Sequence, residues 1–501
     1  MPTSDCTTPT PAPASGSSGT LAILADDLTG ACDSAVPFAR RGLVTRVLLA
    51  ARPALVDLAE PVDVVAVDAD SRQVTRRLAV ARTTLAARAL RTPIMAAGQP
   101  NNQPAHGPTR LFKKVDSTLR GHVGPELLAC MRAWETPLAI LCPAFPAMGR
   151  WVQGGEIFVD GRGAIGAVAA LAGLPADRRT GHLALPTVRA GVAAVAEALT
   201  ALAQAGARVV VADADTPGHL TTLVEAAMAY PVPVMLAGAG GLAAALAEWA
   251  VQARRAAGGD AASGDAASGD AAGLAPPWTA AAPPAVTVTG HPGMPGLPDL
   301  AVGPPWLVVV GSQTDVTRDQ VVELARAGAE IIELDVDELL ARPAVALAAG
   351  RHAAALLCQG MTPVLRLVVP HGAEGLRSRG LRLDERAARA LARACRAVVQ
   401  HETPGGLFLT GGSTARASLL ALGVAGLRLE REPLPGIAAG VAFGGVWDGR
   451  PVITKSGGFG APDAIRRLVR PRSPGRVLLS AARPAAARPA AGRTPPGRNL
   501  R

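Results

Sequence analysis

Lysine is almost missing from this chain. Of 50 basic residues only three are lysines, Lys113, Lys114 and Lys455. Aromatic residues make up 3% of the sequence, too few for the stacking platforms that hold single-stranded nucleic acids. The six cysteines (Cys6, Cys32, Cys130, Cys142, Cys358 and Cys395) form no CxxC pair and no zinc-ligand spacing. Scattered through a long chain, they read as reduced thiols of a cytoplasmic protein. No apolar run reaches the length of a membrane span, and MPTSDCTTPTPAPASGSSGT at the start lacks the basic and apolar regions of a secretory signal. The pattern GxxxxGK(S/T) is absent, which excludes a Walker-type phosphate loop.

The lysines that remain are informative because arginine has taken nearly every other basic position. A compact, strongly hydrated ammonium does what a planar guanidinium fork cannot, and lysine commonly meets phosphate as a point charge. Lys113 and Lys114 lie in FKKVDSTLRG and Lys455 in TKSGGFG. Two anion-directed motifs so far apart fit two domains. The formal net charge of +10 suggests nucleic acid, but ten arginines fall between Arg466 and Arg501 and no acid follows Asp463. The rest of the chain is therefore electrically balanced. The Pro/Ala/Arg-rich tail, residues 471–501, reads as disordered and no specific nucleic-acid partner is expected, although a tail-mediated nucleic-acid role is one alternative.

Ordered sequence is expected from Leu21. Short apolar runs such as VDVVAVDAD, LAILCPA and ARVVVADAD alternate with Ala/Leu/Arg segments of helical spacing, which predicts α/β architecture with largely parallel sheets. Ligands of such sheets bind beyond the carboxyl ends of the strands, and three strands end in acidic turns, at Asp26–Asp27, Asp68–Asp70 and Asp213–Asp215. The five-residue repeat within GGDAASGDAASGDAAG has no apolar periodicity and reads as linker. The expected organisation is a disordered segment 1–20, an α/β domain 21–250, a linker 251–305, a second α/β domain 306–470 and the basic tail.

Six stretches carry chemistry. ADDLTGACD places Asp26 and Asp27 at a strand-to-helix turn, where two acids can accept a hydroxyl proton or bind Mg²⁺ and polyol hydroxyls; as a plain N-cap it would need only one. FKKVDSTLRG gathers Lys113, Lys114, Asp116, Ser117, Thr118 and Arg120, a mixture suited to a carboxylate- or phosphate-bearing substrate with several hydroxyls. Arg72, just past a strand, can clamp a carboxylate. In the second domain, GSQTDVT with Ser312, TGGSTA with Gly411, Gly412, Ser413 and Thr414, and KSGGFG with Lys455, Gly457 and Gly458 follow apolar strands; such turns present backbone N–H groups to phosphates. GAGGLA fits the loose dinucleotide fingerprint, which leaves an NAD-dependent oxidoreductase as a further alternative, but the acid expected some twenty residues on is missing.

Taken in order, ADDLTGACD, DSR, KKVDSTLRG, CPAFPAMGR, AGAGGLA, VVVGS, LTGGSTA, PGIAAG and VITKSGGFG resemble the pattern of the four-carbon acid sugar kinases over about residues 21–467. The resemblance implies an N-terminal domain for the sugar acid, a C-terminal domain for the nucleotide, and ATP with Mg²⁺ as cofactors. It also implies phosphorylation of a tetronate hydroxyl to the 4-phosphate, and the KKVDSTLRG form looks like the D-threonate/D-erythronate branch. It places Asp26, Asp27, Arg72 and Lys113–Thr118 at the substrate, and Ser312, Gly411–Thr414 and Gly457 at the nucleotide. Asp26 or Asp27 is the expected base, with Asp116 next in line. Lys455 is expected to neutralise ATP phosphates. Two positions depart from the family's pattern: Ser413 replaces the usual acid of GG(E/D)T, and GSQT replaces GSCS. A homo-oligomer is compatible with this reading.

Overall fold

The computed structural model describes residues 21–49, 62–91, 110–159, 163–174, 179–259, 305–370 and 381–471. The expected N-terminal segment, the linker from residue 260 to 304 and the tail from residue 472 lie outside the described residues. Eighteen strands are seen among the described residues. In chain order they are β1 (Leu21–Ala25), β2 (Thr45–Leu48), β3 (Val64–Asp68), β4 (Arg110–Lys114), β5 (Leu138–Cys142), β6 (Arg150–Gln153), β7 (Glu156–Val159), β8 (Ala164–Ala167) and β9 (Thr180–Leu183). They continue with β10 (Val209–Ala212), β11 (Val234–Gly238), β12 (Leu307–Val310), β13 (Glu330–Asp335), β14 (Pro363–Val368), β15 (Leu407–Thr410), β16 (Gly426–Leu434), β17 (Ile437–Phe443) and β18 (Pro451–Lys455).

Strands such as β3, β10 and β12 are valine-rich and buried along their whole length, as parallel strands covered on both faces should be. The N-terminal half runs β2-β3-β1-β4-β11-β5-β10-β9, all parallel. The C-terminal half runs β13-β14-β12-β15-β18, also parallel, and is extended by the antiparallel strands β17 and β16. The halves do not carry separate sheets. β16 pairs antiparallel with β2, with Gly426 opposite Leu48 and Leu429 opposite Thr45, so all fifteen strands form one sheet. Pairing two edges removes two rows of open backbone groups that would otherwise have to be protected.

Strand order locates the site. In the N-terminal half the chain leaves β1 towards β3 on one side and returns as β4 on the other; in the C-terminal half β12 is flanked by β14 and β15. Both are points where strand order reverses, and the crevice beyond the strand ends at such a point is where open α/β sheets hold ligands. Asp26–Asp27 follows β1, the lysine pair closes β4, and the turns at Gly311 and Gly411 follow β12 and β15.

The helix Leu28–Ala39 explains how the halves meet. Every residue from Leu28 to Phe38 is buried, because the helix packs on strands β16 to β18 and on the helix Gly412–Ala421 as well as on its own half. Its small residues (Thr29, Gly30, Ala31, Cys32, Ser34, Ala35) allow this enclosure on all sides. The antiparallel sheet β6-β7-β8 stands apart and is stiffened by stacked Trp151 and Phe158, with centroids 5.5 Å apart. The helix beginning at Gly240 runs to Gly259, so residues 251–259, read from sequence as linker, are helical; QARRAA is rich in helix formers.

Candidate functional site

A cleft between the two halves is lined from one side by Asp26, Asp27, Thr29, Asp68, Asp70, Arg72 and Arg120. From the other it is lined by Ser312, Thr314, Gly411 to Thr414, Arg416, Gly457 and Gly458. Most of the residues singled out in the sequence therefore converge on one place, although they come from motifs hundreds of residues apart.

The two adjacent acids differ sharply in their surroundings. Asp26 is buried, and Arg72 donates to both of its oxygens, Nε to Oδ2 at 2.7 Å and Nη2 to Oδ1 at 2.7 Å. Burial pushes the Asp26 carboxyl up, but the Arg72 charge and hydrogen bonds overcome this and hold it below the ordinary carboxylate range. Asp27 is the N-cap of the helix Leu28–Ala39: Oδ1 accepts from Gly30 N at 2.8 Å, while Oδ2 accepts from Thr29 Oγ1 at 3.0 Å and Arg72 Nη1 at 2.6 Å. It remains partly open and faces the other half, since a Cβ on Gly412 would collide with its Oδ2. The capping role and the exposed role therefore belong to one residue.

Arg72 has its whole fork engaged by these acids, and Asp116 lies 3.8 Å from its Nη1. The carboxylate clamp that the sequence suggested is thus taken up by the protein's own aspartates. Asp116 organises the turn that follows β4. Its oxygens accept from Thr118 Oγ1 at 2.6 Å, Arg120 Nε at 2.9 Å and Arg120 Nη2 at 2.6 Å. Burial raises its pKa, but Arg72, Arg120 and Thr118 hold it well below the usual range. Ser117 lines a smaller cavity beside the cleft.

Two further residues, Lys113 and Lys455, sit differently from the sequence reading. Neighbours on a strand face opposite ways, so Lys113 and Lys114 are separated. Lys114 lines the smaller cavity. Lys113 is fully enclosed on the other face, with Nζ 2.8 Å from Glu126 Oε2; burial lowers its pKa, and Glu126 more than restores it. Lys113 does not reach the cleft. Lys455 is also fully enclosed, and its ammonium donates to the carbonyls of Ser456, Gly457 and Phe459 at 2.9, 3.1 and 3.0 Å. It staples the turn from inside rather than projecting from it, and burial pushes its pKa down to about 7.

The glycine turns are built for close approach. Gly411, at φ 96°, caps the helix Gly412–Ala421, whose N-terminus points into the cleft. A Cβ on Gly311 would run into Thr414 Oγ1, and one on Gly457 into Ser312 Oγ. The Gly457 carbonyl accepts from Thr314 Oγ1 and Thr317 Oγ1, each at 2.8 Å, tying the β18 turn to the β12 turn. Gln313, at one departure from the family's pattern, donates to Leu367 O at 2.8 Å and so fastens the β12 turn to the end of β14. Ser413, at the other departure, lies in the first turn of the helix at the cleft wall.

Two groups of residues escaped the sequence reading. Arg416 reaches from the C-terminal half to Asp68 Oδ2 at 2.7 Å and Leu49 O at 2.6 Å. It is four residues beyond Gly412, hence on the same helix face, a spacing that could have drawn attention to it. Burial nevertheless lifts the Asp68 pKa to about 6. Phe459, from KSGGFG, meets Phe145 edge-on at 6.1 Å and lies under the Arg150 guanidinium at 5.1 Å. By contrast, Asp213, the third acidic strand end, points away from the cleft and accepts from Gly154 N, Gly155 N and Leu185 N. The glycines of GAGGLA serve packing: a Cβ on Gly238 or Gly241 would press on the carbonyls of Cys142 or Ala144.

Among the described residues no three His, Cys, Asp or Glu side chains converge into a metal cage, and no helix is long and apolar enough to cross a membrane. All five described cysteines are free thiols.

A parallel α/β cleft with an acid pair on one wall and three glycine turns on the other has the build of a phosphate-binding α/β protein. Comparison with known proteins makes this specific. Residues 21–246 match a family described as a sugar-binding N-terminal domain, and residues 307–465 match a nucleotide-binding C-terminal domain. A D-threonate kinase of Cupriavidus necator is 35% identical over 465 residues, covering 88% of this chain and 95% of the relative. A D-threonate kinase of Bordetella bronchiseptica is 33% identical, covering 90% and 96%. A D-erythronate kinase of Heliobacterium modesticaldum is 28% identical, covering 89% and 95%. A solved structure of a Salmonella typhimurium LT2 protein shares the fold with a TM-score of 0.63 at 22% identity, covering 90% of this chain and all of that one. The chain belongs to the four-carbon acid sugar kinase family.

Proposed function

We propose that this protein transfers the terminal phosphoryl group of ATP to a hydroxyl of a four-carbon sugar acid, giving the 4-phosphate, with D-threonate as the foremost substrate and D-erythronate next. The observation that carries this reading is the position of Asp27. An open carboxylate of the sugar-binding half lies against Gly412, in the glycine turn of the nucleotide-binding half. The names of the most similar relatives support the tetronate.

Asp27 orients the attacking hydroxyl and receives its proton. Asp26 is less suited to that task because it is more deeply buried and clamped by Arg72 on both oxygens, whereas Asp27, although it also accepts from Gly30, Thr29 and Arg72, keeps a side open towards Gly412. Arg72 therefore acts by fixing Asp27, while Lys114 supplies the positive charge for the sugar acid carboxylate. On the opposite wall, the backbone of Gly411–Ser413 at a helix N-terminus and of Gly457–Gly458 cradles the phosphates. The donor set fits magnesium delivered on the triphosphate, since such an ion keeps most of its shell from phosphates and water and needs only one or two carboxylates; Asp68 and Asp70, which line the same cleft, would provide them. The ion would neutralise charge on the phosphates, and the protein contributes positioning. Free thiols and a sugar acid substrate fit a cytoplasmic enzyme.

The test is ATP-dependent phosphorylation of a panel comprising D-threonate, D-erythronate and 3-oxo-tetronate. Turnover of D-threonate with the highest kcat/KM is expected; no turnover of any tetronate overturns the reading.

A further inference from the structure

Behind Asp27 the cleft continues into the smaller cavity, lined by Asp27, Asp33, Lys114, Ser117 and Phe145, with Phe459 of the other half at its edge. Asp33 lies on the helix that Asp27 caps, four residues after Thr29, so it faces the same side. It is 5% exposed, and its Oδ1 has no hydrogen-bond partner among the described residues. Lys114 Nζ stands 3.6 Å from Oδ2, close enough for charge attraction but too far for a good hydrogen bond. The surroundings keep this carboxylate in place. A Cβ on Gly240 would fall 2.9 Å from each Asp33 oxygen and 2.8 Å from the Phe145 ring, so only glycine leaves Asp33 its room.

A buried carboxylate oxygen without a donor costs free energy until something donates to it. The two other carboxylates bordering this cavity have their donors: Asp116 accepts from Thr118 and Arg120, and Asp27 from Gly30, Thr29 and Arg72. Asp33 is not, and its neighbour Lys114 is the cation that can meet a carboxylate. The pair offers an acceptor and a positive charge side by side, complementary to an α- or β-hydroxy acid.

We propose that Asp33 accepts a hydrogen bond from a hydroxyl of the sugar acid that is not phosphorylated, while Lys114 holds the carboxylate of the same molecule, so that Asp33 makes the enzyme demand a hydroxylated carbon chain. This rests on the kinase reading above. Apolar packing discriminates poorly between a hydroxyl and a hydrogen, whereas a buried polar group left unpaired by the wrong substrate discriminates strongly.

The experiment compares D-threonate with its 2-deoxy and 3-deoxy analogues, 3,4-dihydroxybutanoate and 2,4-dihydroxybutanoate, both of which keep the terminal hydroxyl. The enzymes are wild type, Asp33→Asn and Asp33→Ala. Wild type is expected to prefer D-threonate over one analogue by about 10²-fold or more in kcat/KM. In Asp33→Ala that preference should shrink to below about tenfold, through a rise in KM for D-threonate, with the analogue itself little affected. Asp33→Asn, which keeps shape and one acceptor, should fall between, and its melting temperature should show that the fold is intact. Equal losses for D-threonate and both analogues would make Asp33 structural and overturn the proposal. So would a preference that is the same in wild type and Asp33→Asn. Wild type turning over all three compounds alike would likewise overturn the proposal while leaving the kinase reading intact, whereas wild type failing on every tetronate would refute the kinase reading itself.

Discussion

Lys455→Met removes an ammonium that donates to three carbonyls from inside the β18 turn. Two of those carbonyls keep other donors: Gly457 O retains Thr314 and Thr317, and Phe459 O retains Gln320 Nε2 at 3.0 Å. The loss is therefore about one unsatisfied carbonyl, roughly 1–3 kcal/mol, against which the relief of burying a charge works in the opposite direction. Stability should change modestly. Activity should change more, because Gly457 and Gly458 line the cleft and Phe459 packs on Phe145; a displacement on the order of 1 Å at such a turn costs about 10²-fold in rate. The pH dependence gives an independent reading. Lys455 titrates near 7 when folded and near 10.5 when unfolded. The unfolded chain thus binds more protons between those values, and stability rises with pH across that window, the full penalty being present below about 7. At 1.4 kcal/mol per unit, the wild type should gain about 2 kcal/mol relative to Lys455→Met between about pH 6.5 and 8.5 in urea unfolding. Lys455→Arg should not rescue, since a guanidinium fork cannot replace a point donor in a closed pocket. Parallel stability–pH curves for wild type and Lys455→Met, with kcat/KM unchanged, would refute the reasoning.

Asp27→Asn should lower kcat by roughly 10²–10⁴-fold with little change in KM, as expected for a general base, whereas Asp26→Asn should act on stability and on the placement of Arg72; steady-state kinetics beside thermal melts separates them, and an unaffected kcat in Asp27→Asn removes the base assignment. Gly412→Ala stands at the first position of its helix, where little propensity is gained, and pushes a methyl into Asp27 Oδ2, a carboxylate held by Thr29, Gly30 and Arg72; kcat and the melting temperature should both fall, and steady-state kinetics beside thermal melts checks it. Either Lys113→Met or Glu126→Gln leaves a buried charge alone and should destabilise by about 3–5 kcal/mol, with the double substitution less harmful than the two single losses combined; calorimetric or denaturant unfolding decides it.

Much of the site could be read from the sequence because its parts are local. A strand followed by ADDLTG, or by TGGSTA, fixes acids or amides at a strand-to-helix turn whatever surrounds it, and parallel α/β architecture sends such turns to one edge of a sheet. Scarcity of lysine marked three positions, but scarcity identifies a need for an ammonium and not its direction. Whether Lys113 or Lys114 faced the cleft depended on which face of β4 met Glu126. Lys455 looked like a phosphate ligand because a glycine turn beside a lysine has that appearance, and only the folded turn shows three carbonyls closing on it.

Short-range chemistry was therefore set by the sequence alone: the α/β alternation, the strand-end acids, the glycine turns and the balanced charge of everything before Arg466. The tertiary structure decided what depends on distant groups arriving together. It joined the halves through β2 and β16, gave Asp26 to Arg72 and left Asp27 open, brought Gly412 against that carboxylate, and left Asp33 buried with an unfilled acceptor. The physical reason is that hydrogen-bond and charge partners hundreds of residues apart compete for the same atoms, and the outcome of that competition exists only once the chain has folded.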